Sequence, residues 1–142
     1  MKTKICGLRE QQNISDLAAL HPQWMGFIFT ETSPRYFNAA KDPADLLSLP
    51  SSITKVGVFV NETPQAIKYT VTQHSLNAIQ LHGSETPEYC ASLQSPEIEI
   101  IKAFSVDDDF DFSSTEAYAP FVDYFLFDTK GKQVGGNGIA FN

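Results

Sequence analysis

Cysteine is scarce in this 142-residue sequence: there are two, Cys6 and Cys90, with no C-x-x-C pair and no spacing that suits metal ligands. That excludes a disulfide framework and a zinc site, so reduced thiols are expected. Basic charge is thin as well. Ten Lys and Arg stand against seventeen Asp and Glu, giving a formal net charge of -7, and the ten are dispersed along the chain. Without a basic patch, neither a nucleic acid nor an anionic membrane surface is expected as a partner. No apolar run reaches the ~18 residues of a membrane span. The lysines Lys2 and Lys4 lead into no long apolar stretch either, so no leader is indicated and a cytoplasmic protein is expected.

What is present is ordinary for one domain with a sizeable core: 42% of residues are apolar and 19% charged. No linker interrupts the chain, and residues 1–142 are expected to form a single domain. Short apolar runs rich in β-branched and aromatic residues alternate with polar stretches of helical spacing. The runs are Thr3 to Gly7, Met25 to Phe29, Lys55 to Val60, Ala78 to Leu81, Glu99 to Phe104 and Tyr124 to Phe127. Their recurrence is close to the ~30 residues of one strand–helix–strand unit. Val56-Gly57-Val58-Phe59-Val60 is continuously apolar, as a strand covered on both faces must be, which predicts a parallel sheet.

Asp42-Pro43, Thr63-Pro64 and Thr86-Pro87 each set an N-cap oxygen before a proline at the first helical position, which predicts three helix starts. Ile67 and Val71, then Tyr89, Cys90 and Leu93, mark the faces that cover the sheet. Helices are also expected over 11–20 and 110–118. Six strand units with five helices fit an open doubly wound sheet or a barrel cut short, since both use right-handed crossovers.

In either architecture, reactive groups belong at the strand ends. Those ends offer Cys6, Thr30 leading to Ser33-Pro34-Arg35, Asn61, Gln80 with His82, Ser105 and Asp128. A thiol, a guanidinium, an imidazole and a carboxyl group are enough for proton transfer without metal or organic cofactor. Gln80 and His82 sit two apart on one strand and so share a face. Each residue also has a plainer reading: Cys6 as small core filler, Asp128 as a turn cap, Arg35 as a solvated charge, His82 satisfied by backbone.

Lys4-Ile5-Cys6-Gly7, Gly26-Phe27-Ile28-Phe29, Ser33-Pro34-Arg35-Tyr36, Val56-Gly57-Val58-Phe59-Val60-Asn61, Gln80-Leu81-His82-Gly83 and Phe127-Asp128-Thr129-Lys130 occur in this order along the whole chain. Together they resemble the successive motifs of the phosphoribosylanthranilate isomerase family. The resemblance implies an α/β fold of the (β/α)8 TIM-barrel type, incomplete here at strands one to six. It implies an Amadori rearrangement in tryptophan biosynthesis. N-(5-phosphoribosyl)anthranilate becomes 1-(2-carboxyphenylamino)-1-deoxyribulose 5-phosphate by general acid–base catalysis, with no cofactor and no metal. In the family the cysteine ending the first strand is the base and the aspartate ending the sixth is the acid, which carries over to Cys6 and Asp128. Arg35, Gln80 and His82 are the implied substrate contacts.

The chemistry asks different things of the two groups. A free thiol ionises near about 8.5, so Cys6 would gain from a cation, with Arg35 as the candidate. Asp128 must keep its proton, and the run Phe125-Leu126-Phe127 is expected to desolvate it. Arg35 is therefore expected at the thiol or at the anthranilate carboxylate, away from Asp128. Gly135-Gly136-Asn137-Gly138 lacks the Lys-Ser/Thr ending of a nucleotide-binding loop. Gly135 and Gly136 are expected in a loop bordering the site.

The family pattern continues past Phe141-Asn142 with two strand–helix units that carry the main phosphate grip. The 142 residues alone are thus expected to be poorly active, with open sheet edges that permit association. Two other readings remain. One is a different phosphosugar barrel enzyme, which would want carboxylate pairs or a lysine in place of Cys6 and Asp128. The other is an inactive fragment or binding module that keeps the motifs.

Overall fold

Each predicted apolar run becomes a strand, and the capped segments between them become helices that cover one face. The structure is a computed structural model that describes residues 2–38 and 44–130. Asp42-Pro43 and the glycines Gly135 and Gly136 lie outside the described residues. The strands are β1 (Lys4–Cys6), β2 (Trp24–Ile28), β3 (Thr54–Phe59), β4 (Ala78–Leu81), β5 (Glu99–Val106) and β6 (Tyr124–Thr129). Between them lie α1 (Gln11–Ala18), α2 (Ala44–Leu47), α3 (Pro64–His74) and α4 (Pro87–Leu93).

All five strand pairs are parallel, and their order in the sheet is β1-β2-β3-β4-β5-β6. A doubly wound sheet reverses its direction of winding at a switch point, and this one does not, so the winding is that of a barrel. The sheet also curls. Trp24 on β2 and Tyr124 on β6 meet edge to face with ring centroids 5.0 Å apart. In a flat sheet, four strand spacings would hold those strands about 19 Å apart.

The two Thr-Pro starts follow the predicted device. Thr63 Oγ1 accepts from the Ala66 N–H and Thr86 Oγ1 from the Tyr89 N–H, both at 3.2 Å, with Pro64 and Pro87 opening the helices. Ile67, Cys90 and Leu93 are buried against Met25, Phe27, Phe59, Ile79 and Leu81 from the outer face of the sheet. His74, at the end of α3, is 3% exposed and lies between the rings of Phe29 and Phe37, with centroids 5.1 and 5.9 Å away.

The fifth helix departs from expectation. Residues 110–118 form no α-helix; Phe112–Tyr118 is a 3-10 helix. Its hydroxyls explain why: Ser114 Oγ donates to the Asp111 carbonyl and Thr115 Oγ1 to the Phe112 carbonyl, while Asp111 caps Ser113. Such local bonds compete with the α-helical ladder and favour the tighter turn.

Candidate active site

Alternate residues along the strands point to the concave side, and there they line a cleft of about 570 Å³ at the carboxyl ends. Cys6, Arg35, Gln80, His82 and Asp128 all border it, with Thr30 and Ser33 from the loop after β2. Cys6, Arg35, Gln80, His82 and Asp128 are therefore brought to one place. Asn61 is not among them: its Oδ1 accepts from the Ser84 N–H at 2.8 Å and so ties the loop after β3 to the loop after β4. Ser105, on β5, does not line the cleft either.

Cys6 ends β1 exposed, and its sulfur lies over Gly26 on the paired strand. A β-carbon on Gly26 would come within 2.7 Å of Sγ and 3.3 Å of the Cys6 Cα, so glycine is what admits the thiol. Gly7 has φ +82, and its bare Cα makes room for Arg35, whose Cδ would lie 2.9 Å from a β-carbon there. Arg35 thus sits beside the thiol's end of the cleft. Its loop is held by Arg9, which donates to the Pro34 carbonyl at 2.9 Å, and by the bridge between Tyr36 and Ile28. No hydrogen bond or ion pair engages its guanidinium among the described residues.

A chain of polar contacts crosses the cleft from β1 to β6. Lys4 Nζ donates to Gln80 Oε1 at 2.6 Å, Gln80 Nε2 meets His82 Nδ1 at 2.8 Å, and His82 Nε2 lies 3.4 Å from Asp128 Oδ2. That last distance is an ion-pair contact but too long for a well-formed hydrogen bond, and His82 Nε2 has no hydrogen-bond partner among the described residues. The His82 side chain is 10% exposed and Asp128 24%. Burial pushes the His82 pKa below its ordinary value. Lys102 and Lys4 push the same way, against the pull of Asp128. The backbone-satisfied reading of His82 is overturned, because its ring faces two side chains.

The desolvating run before Asp128 is also corrected. Period two sends Phe125 and Phe127 to the far face, where both pack on Phe104 and stay 37% exposed. Only Leu126 shares the cleft with Asp128. Sequence reasoning missed Lys4 as a site residue, although it stands two before Cys6 and so shares its face. It also missed the buried pair Lys102 and Glu85, with Nζ and Oε2 3.1 Å apart. Glu85 accepts from the N–H groups of Asn61 and Gly83 and thereby braces the turn just after His82.

A second cleft, of about 820 Å³, opens at the amino ends of the strands. Its titratable groups are the carboxylates of Glu97, Glu99 and Asp123, with no thiol, imidazole or cation to work against. No group of three or more His, Cys, Asp or Glu among the described residues could hold a metal ion. Nor is any helix there long and apolar enough to cross a membrane.

Parallel strands wound in one direction, with polar groups converging at their carboxyl ends, define the class of β/α barrels that carry sites on that face. The particular family follows from comparison. The family model for N-(5'phosphoribosyl)anthranilate (PRA) isomerase matches residues 3–142, and the chain belongs to that family. The N-(5'-phosphoribosyl)anthranilate isomerase of Parabacteroides distasonis is 43% identical over 145 residues, which cover 100% of this chain and 65% of the relative. The crystal structure of the phosphoribosyl anthranilate isomerase from Thermotoga maritima superposes with a TM-score of 0.85 at 33% identity, covering 100% of this chain and 68% of that one. A phosphoribosyl anthranilate isomerase in complex with reduced 1-(o-carboxyphenylamino)-1-deoxyribulose 5-phosphate matches with a TM-score of 0.71 at 28% identity, covering 91% of this chain and 75% of that one. The chain thus spans about two thirds of the length of these relatives.

Proposed function

We propose that this chain carries the acid–base part of a phosphoribosylanthranilate isomerase site, with Cys6 as the base and Asp128 as the acid. The observation that carries the reading is that both groups open onto one cleft, the thiol on β1 and the carboxyl on β6. Asp128 gives its proton to the ribose ring oxygen of N-(5-phosphoribosyl)anthranilate. The bond from that oxygen to C1 breaks, and the anthranilate nitrogen takes up the positive charge as an iminium. The iminium makes the C2 hydrogen acidic, and the Cys6 thiolate removes it. The resulting enolamine gains a proton at C1 and settles as the ketone, so the sum is an isomerisation by proton transfer alone.

Arg35, whose guanidinium makes no hydrogen bond or ion pair among the described residues and which lies beside the thiol, suits the anthranilate carboxylate, because guanidinium and carboxylate match in a two-pronged bond. Gln80 and His82 form the wall that faces the sugar. The partner in this reading is one small phosphosugar–anthranilate molecule. A base that must remain a free thiol suits the reducing cytoplasm.

The test follows the loss of substrate fluorescence with two proteins. One is the chain itself; the other is a chimaera in which the part of the Parabacteroides distasonis relative that the chain does not span follows residue 142. The chimaera is expected to be active. Cys6→Ala and Asp128→Asn are each expected to lower its kcat by at least ~100-fold, the usual scale of a lost general acid or base. Full activity in either variant refutes the assignment.

A further inference from the structure

The polar chain across the cleft dictates where a proton sits. A lysine ammonium has only donors, so the atom 2.6 Å from Lys4 Nζ must be the oxygen of the Gln80 amide. The amide nitrogen then faces His82 Nδ1 at 2.8 Å, and an NH2 group likewise only donates. Nδ1 must therefore offer a lone pair, which leaves the ring proton on Nε2, the atom 3.4 Å from Asp128 Oδ2. A second proton on Nδ1 would set two donors head to head.

We infer that Lys4 and Gln80 are positioning residues, which hold His82 neutral with its Nε2–H turned toward Asp128. The catalytic meaning of this rests on the proposed role of Asp128 as the acid. A neutral donor faces Oδ2 at 3.4 Å and leaves Oδ1 to deliver its proton into the cleft. As the proton leaves, the new carboxylate draws the Nε2–H into a shorter, charge-assisted bond. An imidazolium at the same place would favour the ionised carboxylate from the outset and disarm the acid. The charged groups that act on the ring are Lys4 from β1, Lys102 from β5 and Asp128 from β6. The two lysines oppose ring protonation, as burial does, and only Asp128 favours it.

The experiment is nitrogen-15 NMR of the histidine-labelled chain, with the His82 signals assigned by their loss in His82→Asn. The wild-type ring is expected to show the neutral pattern with the proton on Nε2, kept on acidification past about pH 6.5, where a free histidine titrates. Gln80→Glu presents a carboxylate to Nδ1 and is expected to give an imidazolium, raising the proton affinity of His82 at least ~10-fold. Lys4→Met frees the amide to turn and is expected to mix the two tautomers, while Lys4→Arg, still a pure donor, restores the Nε2–H form. A wild-type ring protonated on Nδ1 overturns the inference, even if a variant fails to fold, and so do unchanged His82 spectra in Gln80→Glu and Lys4→Met. In the active chimaera, Gln80→Glu is further expected to move the fall of kcat at high pH to lower pH. The two readings fail separately. If the spectra behave as expected but the pH profile does not move, the acid role of Asp128 falls; if the chimaera is active but the spectra do not change, the positioning role of Lys4 and Gln80 falls.

Discussion

Replacing Lys102 by Met removes the positive half of an ion pair whose side chains are 2% and 1% exposed. Lys102 Nζ donates to Glu85 Oε2 at 3.1 Å and to the carbonyls of Leu81, Gly83 and Ala103 at 3.3, 2.8 and 3.0 Å. Met fills most of the volume of the lysine stem, so little of the loss is cavity. The loss is the compensation of a buried carboxylate, which typically costs about 3–5 kcal/mol when one partner of a buried pair is removed. Glu85 keeps its bonds from the Asn61 and Gly83 N–H groups, at 2.8 and 2.9 Å, and these hold the cost near the lower end, at about 3 kcal/mol. That is a large share of the ~5–15 kcal/mol that stabilises a typical domain.

Urea unfolding, followed by circular dichroism, reads this directly. At roughly 2 kcal/mol per molar urea, the midpoint is expected to fall by about 1.5 M. Adding Glu85→Leu to Lys102→Met removes the stranded charge but leaves two main-chain N–H groups without an acceptor, at ~1–3 kcal/mol each. Removing the stranded charge offsets much of that cost, so the double variant is expected to lose far less than the sum of the two single losses, with a coupling of at least ~2 kcal/mol in the double-mutant cycle. A loss below ~1 kcal/mol for Lys102→Met, or additive single losses, would refute the claim that mutual charge compensation holds this corner. The turn that Glu85 braces begins at Gly83, next to His82, so the destabilised variant is also expected to loosen the histidine.

Gly26→Ala puts a methyl where Cys6 Sγ lies, since the β-carbon would be 2.7 Å from the sulfur. The thiol must take another rotamer, and a displacement of ~1 Å at the proposed base is expected to lower kcat of the active chimaera about 100-fold, with stability down by less than ~3 kcal/mol; unchanged kcat would separate the chemistry from this sulfur position. His74 binds protons more weakly folded than unfolded, first through burial and then through Lys55, and His82 does so mainly through burial. Both therefore contribute stability that is present above about pH 6.5 and lost as pH falls below it, by up to ~1.4 kcal/mol per pH unit each. Urea midpoints between pH 7.5 and pH 5.5 are expected to show the decline, and His74→Leu to flatten it. Thr63→Ala removes the cap that accepts the Ala66 N–H and is expected to cost about 1 kcal/mol in thermal unfolding, whereas a neutral effect would deny the cap its role in starting α3.

Much of the candidate site is legible in the sequence, because a strand alternates strictly. Cys6, Gln80, His82 and Asp128 all point into one cleft for that reason, and the same rule applied to Lys4 would have added it. The same alternation corrects Phe125 and Phe127. Their nearness to Asp128 along the chain says nothing of which face they occupy, and they occupy the other one. The helix expected over 110–118 failed for a local reason, since the serine and threonine hydroxyls there bond to their own backbone and tighten the turn.

By itself the sequence determined the six strands and the two Thr-Pro helix starts. Continuous apolar runs such as Val56 to Phe59 can only be strands covered on both sides, and Thr-Pro pairs start helices wherever they fall. Those are short-range effects of side-chain spacing, backbone sterics and capping. Only the tertiary structure decided that the six strands run in sequence order and curl, since the same repeating unit serves an open sheet or a barrel. The curl is what matters for chemistry. Three strand spacings would keep β1 and β4 about 14 Å apart in a flat sheet, yet Lys4 and Gln80 are hydrogen-bonded at 2.6 Å. The chain from Lys4 to Asp128 joins strands that are not neighbours, and it exists because sheet curvature, a property of all six strands together, carries their inner side chains to one point.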